Sequence, residues 1–200
     1  MSTRLDQGKA TRGRLVEIAT DLFGTLGYEA TSTEAVLAAA DVSRGSLYYH
    51  FKGKEALFDA VLQAVEDRIG KATIDAATGA TDTVAAVRAG CVAWIQLAGD
   101  PVVQRIVLVD AVSVLGWQRS REIQQRAALG VLTGAMKALI DEGEVPHDMA
   151  DVFAHIVFAT MCELALMVVQ ADDPAAAQLT AIAAVDHFLA RLLRRGRIDE

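Results

Sequence analysis

The sequence predicts an all-helical protein, with a three-helix head at the N-terminus followed by a larger helical bundle. Hydrophobic residues make up 52% of the 200 residues, which is enough for a buried core. Apolar side chains recur at helical spacing along the chain. Only three prolines interrupt it, and runs of β-branched residues are few. These observations indicate helices joined by short turns.

The prolines divide the C-terminal part into helices. Pro101, Pro146 and Pro174 each follow Gly or Asp residues that favour a helix end. Each stands at or near the first position of a new helix, where the missing N–H of proline costs nothing. This punctuation predicts helices over 81–98, 101–115, 119–142, 147–171 and 174–195.

The N-terminal part predicts two short helices joined by a tight turn. The sequence T-S-T-E at 31–34 has the form of a capping box, so a second helix should begin there and run to about Ala40. Asp41 suits the left-handed backbone of a turn. Ser43 is then the predicted N-cap of a short third helix over 44–49.

A longer helix is predicted on each side of this pair. The first has an apolar face from Leu15 to Leu26 and ends at the glycines Gly24 and Gly27. The fourth opens at 53–55 and keeps an apolar face to about Ile69. Two short helices braced in this way form a helix-turn-helix.

The run 31–57, TSTEAVLAAADVSRGSLYYHFKGKEAL, resembles the DNA-binding domain of the TetR family of transcriptional regulators. The matching features are V-S at the turn exit, the R-G pair, L-Y-Y-H-F at 47–51 and K-E-x-L at 54–57. Asp41 and Leu37 depart from the family pattern, which usually has Gly and Ala there. The resemblance covers about residues 10–65. It implies a flexible arm over 1–9, a DNA-binding domain over 10–55 and an effector-binding and dimerisation domain over 56–200.

The predicted third helix carries the side chains suited to reading bases. Arg44 can place two N–H groups on guanine, Ser46 can donate or accept, and Gly45 allows close approach to the groove. The alternative for Arg44 is a solvated surface charge. The resemblance implies that Tyr48, Tyr49 and His50 bind phosphates; for Tyr48, partial packing into the core is the alternative.

Helix N-termini add further expected phosphate contacts. Lys54 offers a charge and backbone N–H groups at the start of the fourth helix. Ser32 and Thr33 stand at the start of the second helix and Ser43 at the start of the third, where capping is a compatible role.

The distribution of charge agrees with DNA contact through the head. The net charge of −7 argues against a polyanionic partner for the chain as a whole. Residues 1–54, however, hold seven Lys/Arg and six Asp/Glu, whereas residues 55–200 hold twelve and twenty. The head is therefore weakly basic and the remainder acidic, which restricts DNA contact to the head.

The resemblance implies a dimer through the last two long helices. Apolar residues at helical spacing on the last helix are the expected interface: Ile182, Val185, Leu189 and Leu192. The alternative is that all of this surface is internal core. No stretch of eighteen apolar residues lacks a charge, so a membrane span is not expected.

An effector pocket is expected among aromatic, sulfur-containing and isolated polar residues of the bundle. The predicted set is Trp94, Asp110, Trp117, His155, Phe158, Met161, Cys162 and Met167. Each of these could instead belong to the core. Asp110 and Glu163 could meet a ligand or pair with an internal arginine, such as Arg105, Arg119 or Arg121.

The sequence thus predicts a cytoplasmic homodimer that binds a palindromic operator and is released by an unknown small-molecule effector. We expect no metal or cofactor, because no ligand spacing or phosphate loop occurs. Catalysis by His155 and Cys162 is disfavoured, since seven residues separate them by about 10 Å along a helix. A constitutive architectural DNA-binding protein is the second alternative, and repression against activation stays open.

Overall fold

The computed structural model describes residues 4–193, and within this range it contains helices and no strand. The prediction of an all-helical fold is confirmed. A π-helical segment, Gln104–Asp110, joins α6 to α7. The helices are α1 Arg4–Leu26, α2 Thr33–Ala40, α3 Arg44–His50, α4 Lys54–Ala77, α5 Thr83–Leu97, α6 Pro101–Val103, α7 Ala111–Asp141, α8 Ala150–Gln170 and α9 Pro174–Leu192.

The chain forms two compact units whose limits differ from the predicted domain boundary after residue 55. The first unit comprises Met1–Asp67 and Pro101–Ile123, and the second comprises Arg68–Asp100 and Gln124–Glu200. The first unit is therefore larger than the helix-turn-helix motif. Residues 4–9 of the predicted flexible arm belong to α1.

The first unit is built around an aromatic cluster. The ring centroids of Phe23, Tyr28 and Phe58 lie 5.2 to 5.6 Å apart, within the range of favourable edge and tilted contacts. Phe23 and Phe58 are fully buried. Because these rings come from α1, the following turn and α4, the cluster connects the two longer helices that flank the helix-turn-helix pair.

The π-helical segment attaches residues 101–123 to the turn between α1 and α2. The backbone N–H of Tyr28 donates to Asp110 Oδ2 at 2.8 Å, and Arg105 Nε lies 3.5 Å from the same oxygen. The guanidinium of Arg105 also packs against Gly27, whose φ is +83°. A Cβ at Gly27 would lie 2.2 Å from Arg105 Nη2 and would displace the guanidinium, and the positive φ itself favours glycine.

Helix boundaries follow the sequence in most places and depart from it in a few. The predicted continuous helix 101–115 contains the π-helical segment. The fourth helix continues to Ala77, beyond the expected end near Ile69. The prediction of a capping box at 31–34 is wrong, because Ser32 is the residue that caps α2. Thr31 is buried instead, and its hydroxyl donates to the Gly27 carbonyl at 2.8 Å.

The predicted break between 115 and 119 is confirmed at a single residue. Gly116 has φ 77° and ψ 162°, which interrupts α7. α8 begins at Ala150, three residues later than predicted, whereas α9 begins at Pro174 as expected. Positions 194 and 195 of the predicted last helix lie outside the described residues.

The second unit has one apolar core formed by α5, the C-terminal part of α7, α8 and α9. α8 is long and apolar enough to cross a membrane, but its buried face belongs to this core. Its other face is exposed at Val152, Ile156 and Met167, so the described residues cover α8 on one side and leave this face open. The buried residues of this core are Val87, Cys91, Ile95, Met136, Leu139, Val145, Ala154, Val157, Met161, Val168, Ala181, Val185, Leu189 and Leu193.

Glu66 on α4 is a buried acid without full hydrogen bonding, which sequence analysis did not identify. Its Oε1 is buried and has no hydrogen-bond partner among the described residues. Burial, with a smaller contribution from the negative charge of Asp67, raises the pKa of Glu66 to about 7. The neutral acid is thus the form that the fold favours.

We expect Glu66→Gln to stabilise the protein above pH 7 and to flatten its stability profile between pH 4.5 and 7. Because the folded-state pKa is above the unfolded one, the contribution of Glu66 is fully present below about pH 4.5 and is lost as pH rises through 7. The gain at high pH should reach about 3 kcal/mol at most. Urea unfolding at several pH values measures it, with the exposed Glu163→Gln as the control. An unchanged profile in Glu66→Gln would contradict the assignment.

Candidate nucleic-acid interface

The orientation of α3 follows from two buried residues at its C-terminal end. Leu47 is fully buried and Phe51 is 4% exposed. The backbone N–H of Phe51 donates to the Leu47 carbonyl at 2.8 Å and closes the helix. The guanidinium carbon of Arg12 on α1 lies 5.2 Å from the centroid of the Phe51 ring, a cation–π contact. The remaining sides of α3 consequently face outward.

Caps and the turn hold the helix-turn-helix geometry. Ser32 Oγ accepts from the N–H of Ala35 at 3.0 Å, and Ser43 Oγ accepts from the N–H of Ser46 at 3.2 Å. Asp41 has φ 53° and ψ 48°, so the expected left-handed turn is confirmed. The two serine caps each satisfy one N–H group in the first turn of the helix that they begin.

Arg44 is exposed and is held by an acid that sequence analysis missed. Arg44 Nη2 donates to Glu34 Oε1, an ion pair between the first turns of α3 and α2. Thr33 Oγ1 donates to Glu34 Oε2 at 3.1 Å. The pKa of Glu34 is lowered, first by hydrogen bonding to its own backbone N–H, then by Thr33 and by Arg44. The only sequence signal for this pair was the acid at the start of α2.

Gly45 is an open position on the exposed side of α3. A Cβ placed there would meet only Ser43 Oγ, at 3.9 Å. The fold therefore does not require glycine at residue 45. Absence of a side chain is useful there only if another surface approaches the helix closely.

The aromatic residues of the motif lie at the exposed C-terminal end of α3. Tyr49 is 83% exposed and Tyr48 is 50% exposed. The rings of Tyr49 and His50 pack edge to face with centroids 4.9 Å apart. Both tyrosine hydroxyls are thus available to a ligand, although half of Tyr48 is covered.

Lys54 stands at the N-terminus of α4, and its side chain folds over an aromatic ring. Lys54 Nζ lies 4.0 Å from the centroid of Tyr28. This cation–π contact restricts the ammonium group while leaving its three N–H donors partly available. Together with the free N–H groups of the first turn of α4, it forms an anion-binding position.

The predicted effector residues are divided between the two units. Asp110 and Trp117 belong to the first unit, and the other six belong to α5 and α8 of the second. Arg105, one of the arginines considered as a partner for Asp110, lies beside it. Trp117 is 67% exposed. Among the described residues, no group of three His, Cys, Asp or Glu side chains could hold a metal ion.

Within the second unit, part of the predicted pocket is core. Phe158 and Met161 are buried, and Trp94 Nε1 donates to the Met161 carbonyl at 3.0 Å. Cys162 is half-buried. His155 and Met167 are exposed, and His155 Nδ1 lies 2.8 Å from the Asp151 carbonyl oxygen.

The predicted dimer residues divide between core and surface. Val185 and Leu189 are buried in the core of their own chain, so they are not available to a partner. Ile182 and Leu192 are half-buried against the same core. Leu179, which stands at the same helical spacing on α9, is 71% exposed.

Two family models match the chain. The model described as "Bacterial regulatory proteins, tetR family" matches residues 15–61. The model described as "Tetracyclin repressor-like, C-terminal domain" matches residues 84–192, more than half of the chain. The two matches follow one another along the chain and cover both the helix-turn-helix and the C-terminal helices.

Individual proteins agree with this assignment. The HTH-type transcriptional regulator QacR of Staphylococcus aureus is 39% identical over 57 residues, 28% of this chain and 30% of QacR. The regulator AcrR of Shigella flexneri is 33% identical over 69 residues, 34% of this chain and 32% of AcrR. This chain therefore matches about a third of the length of these relatives.

A similarity over nearly the full length comes from a crystal structure. A TetR-family transcriptional regulator from Pectobacterium atrosepticum is 30% identical, with a TM-score of 0.83. The match covers 96% of this chain and 97% of that one. On the family models and this full-length similarity, the chain belongs to the TetR family of bacterial transcriptional regulators.

Proposed function

We propose that this protein is a homodimeric repressor that binds a palindromic operator through α3 and leaves it when a small-molecule effector binds. The observation that carries the proposal is the exposed side of α3, where Arg44 and the open position of Gly45 stand beside two exposed tyrosines. A DNA-binding regulator acts where the chromosome is, so we place the protein in the cytoplasm.

The roles on DNA follow from the chemistry of each exposed group. Arg44 and Ser46 reach base edges in the major groove, and Gly45 allows the helix axis to approach them. Tyr49, His50 and Lys54 donate to phosphates, as do the N–H groups at the starts of α2 and α4. Such contacts give position and affinity, whereas the few base contacts give specificity.

A single head makes too few base contacts for a specific site. Each good bidentate contact discriminates by about 1–3 kcal/mol, so two half-sites are needed and the regulator must be a dimer. The proposed interface consists of the exposed apolar residues of α8 and α9, two helices that pack against each other. These residues are Val152, Ile156, Met167 and Leu179.

The proposal of an effector rests on two features of residues 56–200. One is the size of this region, and the other is a buried polar atom that has no hydrogen-bond partner among the described residues. The region 56–200 is far larger than dimerisation needs. Glu66 Oε1 is buried without a partner, and a ligand N–H group would supply the missing hydrogen bond.

Gly45→Ala is expected to separate folding from DNA binding. Because a Cβ there meets only Ser43 Oγ at 3.9 Å, alanine should stabilise α3 by up to about 1 kcal/mol. The added methyl group should at the same time weaken operator binding at least tenfold by holding the helix away from the bases. Thermal unfolding and fluorescence anisotropy measure the two effects. Gly130→Ala on α7, where a Cβ also meets nothing within 4 Å, is the matched control and should leave operator binding unchanged. Full operator affinity in Gly45→Ala would argue against α3 as the reading helix.

Leu179→Arg is expected to give a folded monomer. Leu179 is 71% exposed in the chain, so an arginine there stays solvated in the monomer and becomes buried and unpaired only in a dimer. Sedimentation measures the mass and circular dichroism the fold. Ile74→Arg, at an apolar position of α4 that is 47% exposed, should remain dimeric. A dimeric Leu179→Arg would place the interface elsewhere.

Ligands that stabilise the protein are expected to weaken operator binding by about 5- to 150-fold, the usual range of coupling between two sites. Apolar and cationic compounds are first screened by thermal shift, and each compound that raises the melting temperature is then titrated against the operator complex. By reciprocity, operator DNA must weaken binding of the same compound by the same factor. Compounds that stabilise the protein and leave operator affinity unchanged would instead support constitutive DNA binding.

A further inference from the structure

We propose that Glu34 is a positioning residue for DNA recognition: its carboxylate holds the guanidinium of Arg44 in the orientation that reads a base. This inference rests on the proposed role of α3 in operator binding. It assigns a specificity role to an acidic residue on the DNA-facing side, where an acid would otherwise only repel phosphates.

The carboxylate of Glu34 is fixed at both oxygens. Oε1 accepts from Arg44 Nη2, and Oε2 accepts from Thr33 Oγ1 at 3.1 Å. Glu34 also lies in the first turn of α2, where the helix dipole favours a negative charge. A carboxylate held in this way presents a defined acceptor to α3, ten residues further along the chain.

Arg44 keeps enough donors to read a base while it stays paired. A guanidinium has five N–H donors, and a bidentate contact with guanine uses two of them. Among the described residues, Glu34 is the hydrogen-bond acceptor of Arg44, through Nη2. The ion pair therefore restricts rotation of a long, exposed side chain and does not block its donors. The rotamer entropy lost on binding a base falls accordingly.

The charge of Glu34 gives the pair opposite effects on specific and non-specific DNA. At the correct base, the oriented guanidinium gains a bidentate contact. On other sequences, the carboxylate remains close to the phosphate backbone and lowers affinity by repulsion. Both effects raise the ratio of specific to non-specific binding. A merely structural acid on α2 would change neither base preference nor its dependence on Arg44.

The experiment measures base preference at the position that Arg44 reads. Duplexes selected from a random pool by the full-length wild-type protein define the operator, and Arg44→Ala identifies the base pair at which preference is lost. Affinities for all four base pairs there are then measured for Glu34→Ala, for Glu34→Gln and for each change combined with Arg44→Ala. Circular dichroism checks folding of each variant. Glu17→Ala, which removes an exposed acid of α1, is the matched control.

We expect Glu34→Ala to lower the preference for the correct base pair by about five- to tenfold and to strengthen binding to non-operator DNA. Glu34→Gln keeps an acceptor oxygen without the charge, so its loss should be smaller. In the Arg44→Ala background, neither change should alter base preference. Glu17→Ala should leave the preference unchanged.

Three results would overturn the inference, and they differ in their consequences for the proposed function. Unchanged preference in Glu34→Ala, with preference lost in Arg44→Ala, would overturn positioning and leave the proposed function intact. An equal loss in the Arg44→Ala background would show that Glu34 acts on the base independently. If Arg44→Ala changes preference at no position, the proposed reading role of Arg44 fails together with the inference.

Discussion

The burial of Leu47 and Phe51 is the constraint on which the proposed DNA-binding side of this protein depends. A helix of seven residues is too short to be stable by itself, so α3 exists only where its inner side is covered. Packing against α1 and α2 supplies that cover, and the left-handed turn at Asp41 sets the direction in which α3 leaves α2. Once these inner positions are fixed, Arg44, Gly45, Tyr48 and Tyr49 must point outward. The proposed recognition surface is thus a consequence of the core packing on the opposite side of α3.

The first unit extends beyond the helix-turn-helix because the motif cannot satisfy its own turn. The N–H of Tyr28 follows the end of α1 and needs an acceptor, and Asp110 supplies it from 82 residues away. The π-helical segment Gln104–Asp110 makes this attachment, with Arg105 near its beginning and Asp110 at its end. π-helical turns are rare and are frequently found at functional sites. In this chain two residues of the segment, Arg105 and Asp110, contact the turn between α1 and α2.

Individual side chains held in fixed positions, more than the overall charge, account for the DNA binding proposed for the head. With seven basic and six acidic residues in positions 1–54, the head has little net attraction for a polyanion. Several of its cations are also held by partners, Arg12 by Phe51, Lys54 by Tyr28 and Arg44 by Glu34. Such restraint lowers the entropy lost on binding and favours discrimination between sequences over affinity for DNA in general. The acidic composition of residues 55–200 acts in the same direction.

Many helices, caps and turns of this protein could be predicted from the sequence, because interactions between neighbouring residues determine them. Helical periodicity, the cap at Ser43, proline at the start of α9 and the turn at Asp41 act over a few residues, and these predictions agree with the structure. Tertiary structure decided what lies opposite each side chain. Helical periodicity identified Val185 and Leu189 as part of an apolar stripe. Whether such a stripe packs against its own chain or against a partner depends on helices that are distant in sequence. In this structure, Val185 and Leu189 are both buried in the core of their own chain. The same holds for Asp110, whose partner is at Tyr28, and for Glu34, whose partner is Arg44. Pairings between residues far apart in sequence leave no local signal, because the free energy that selects them arises only when the helices pack.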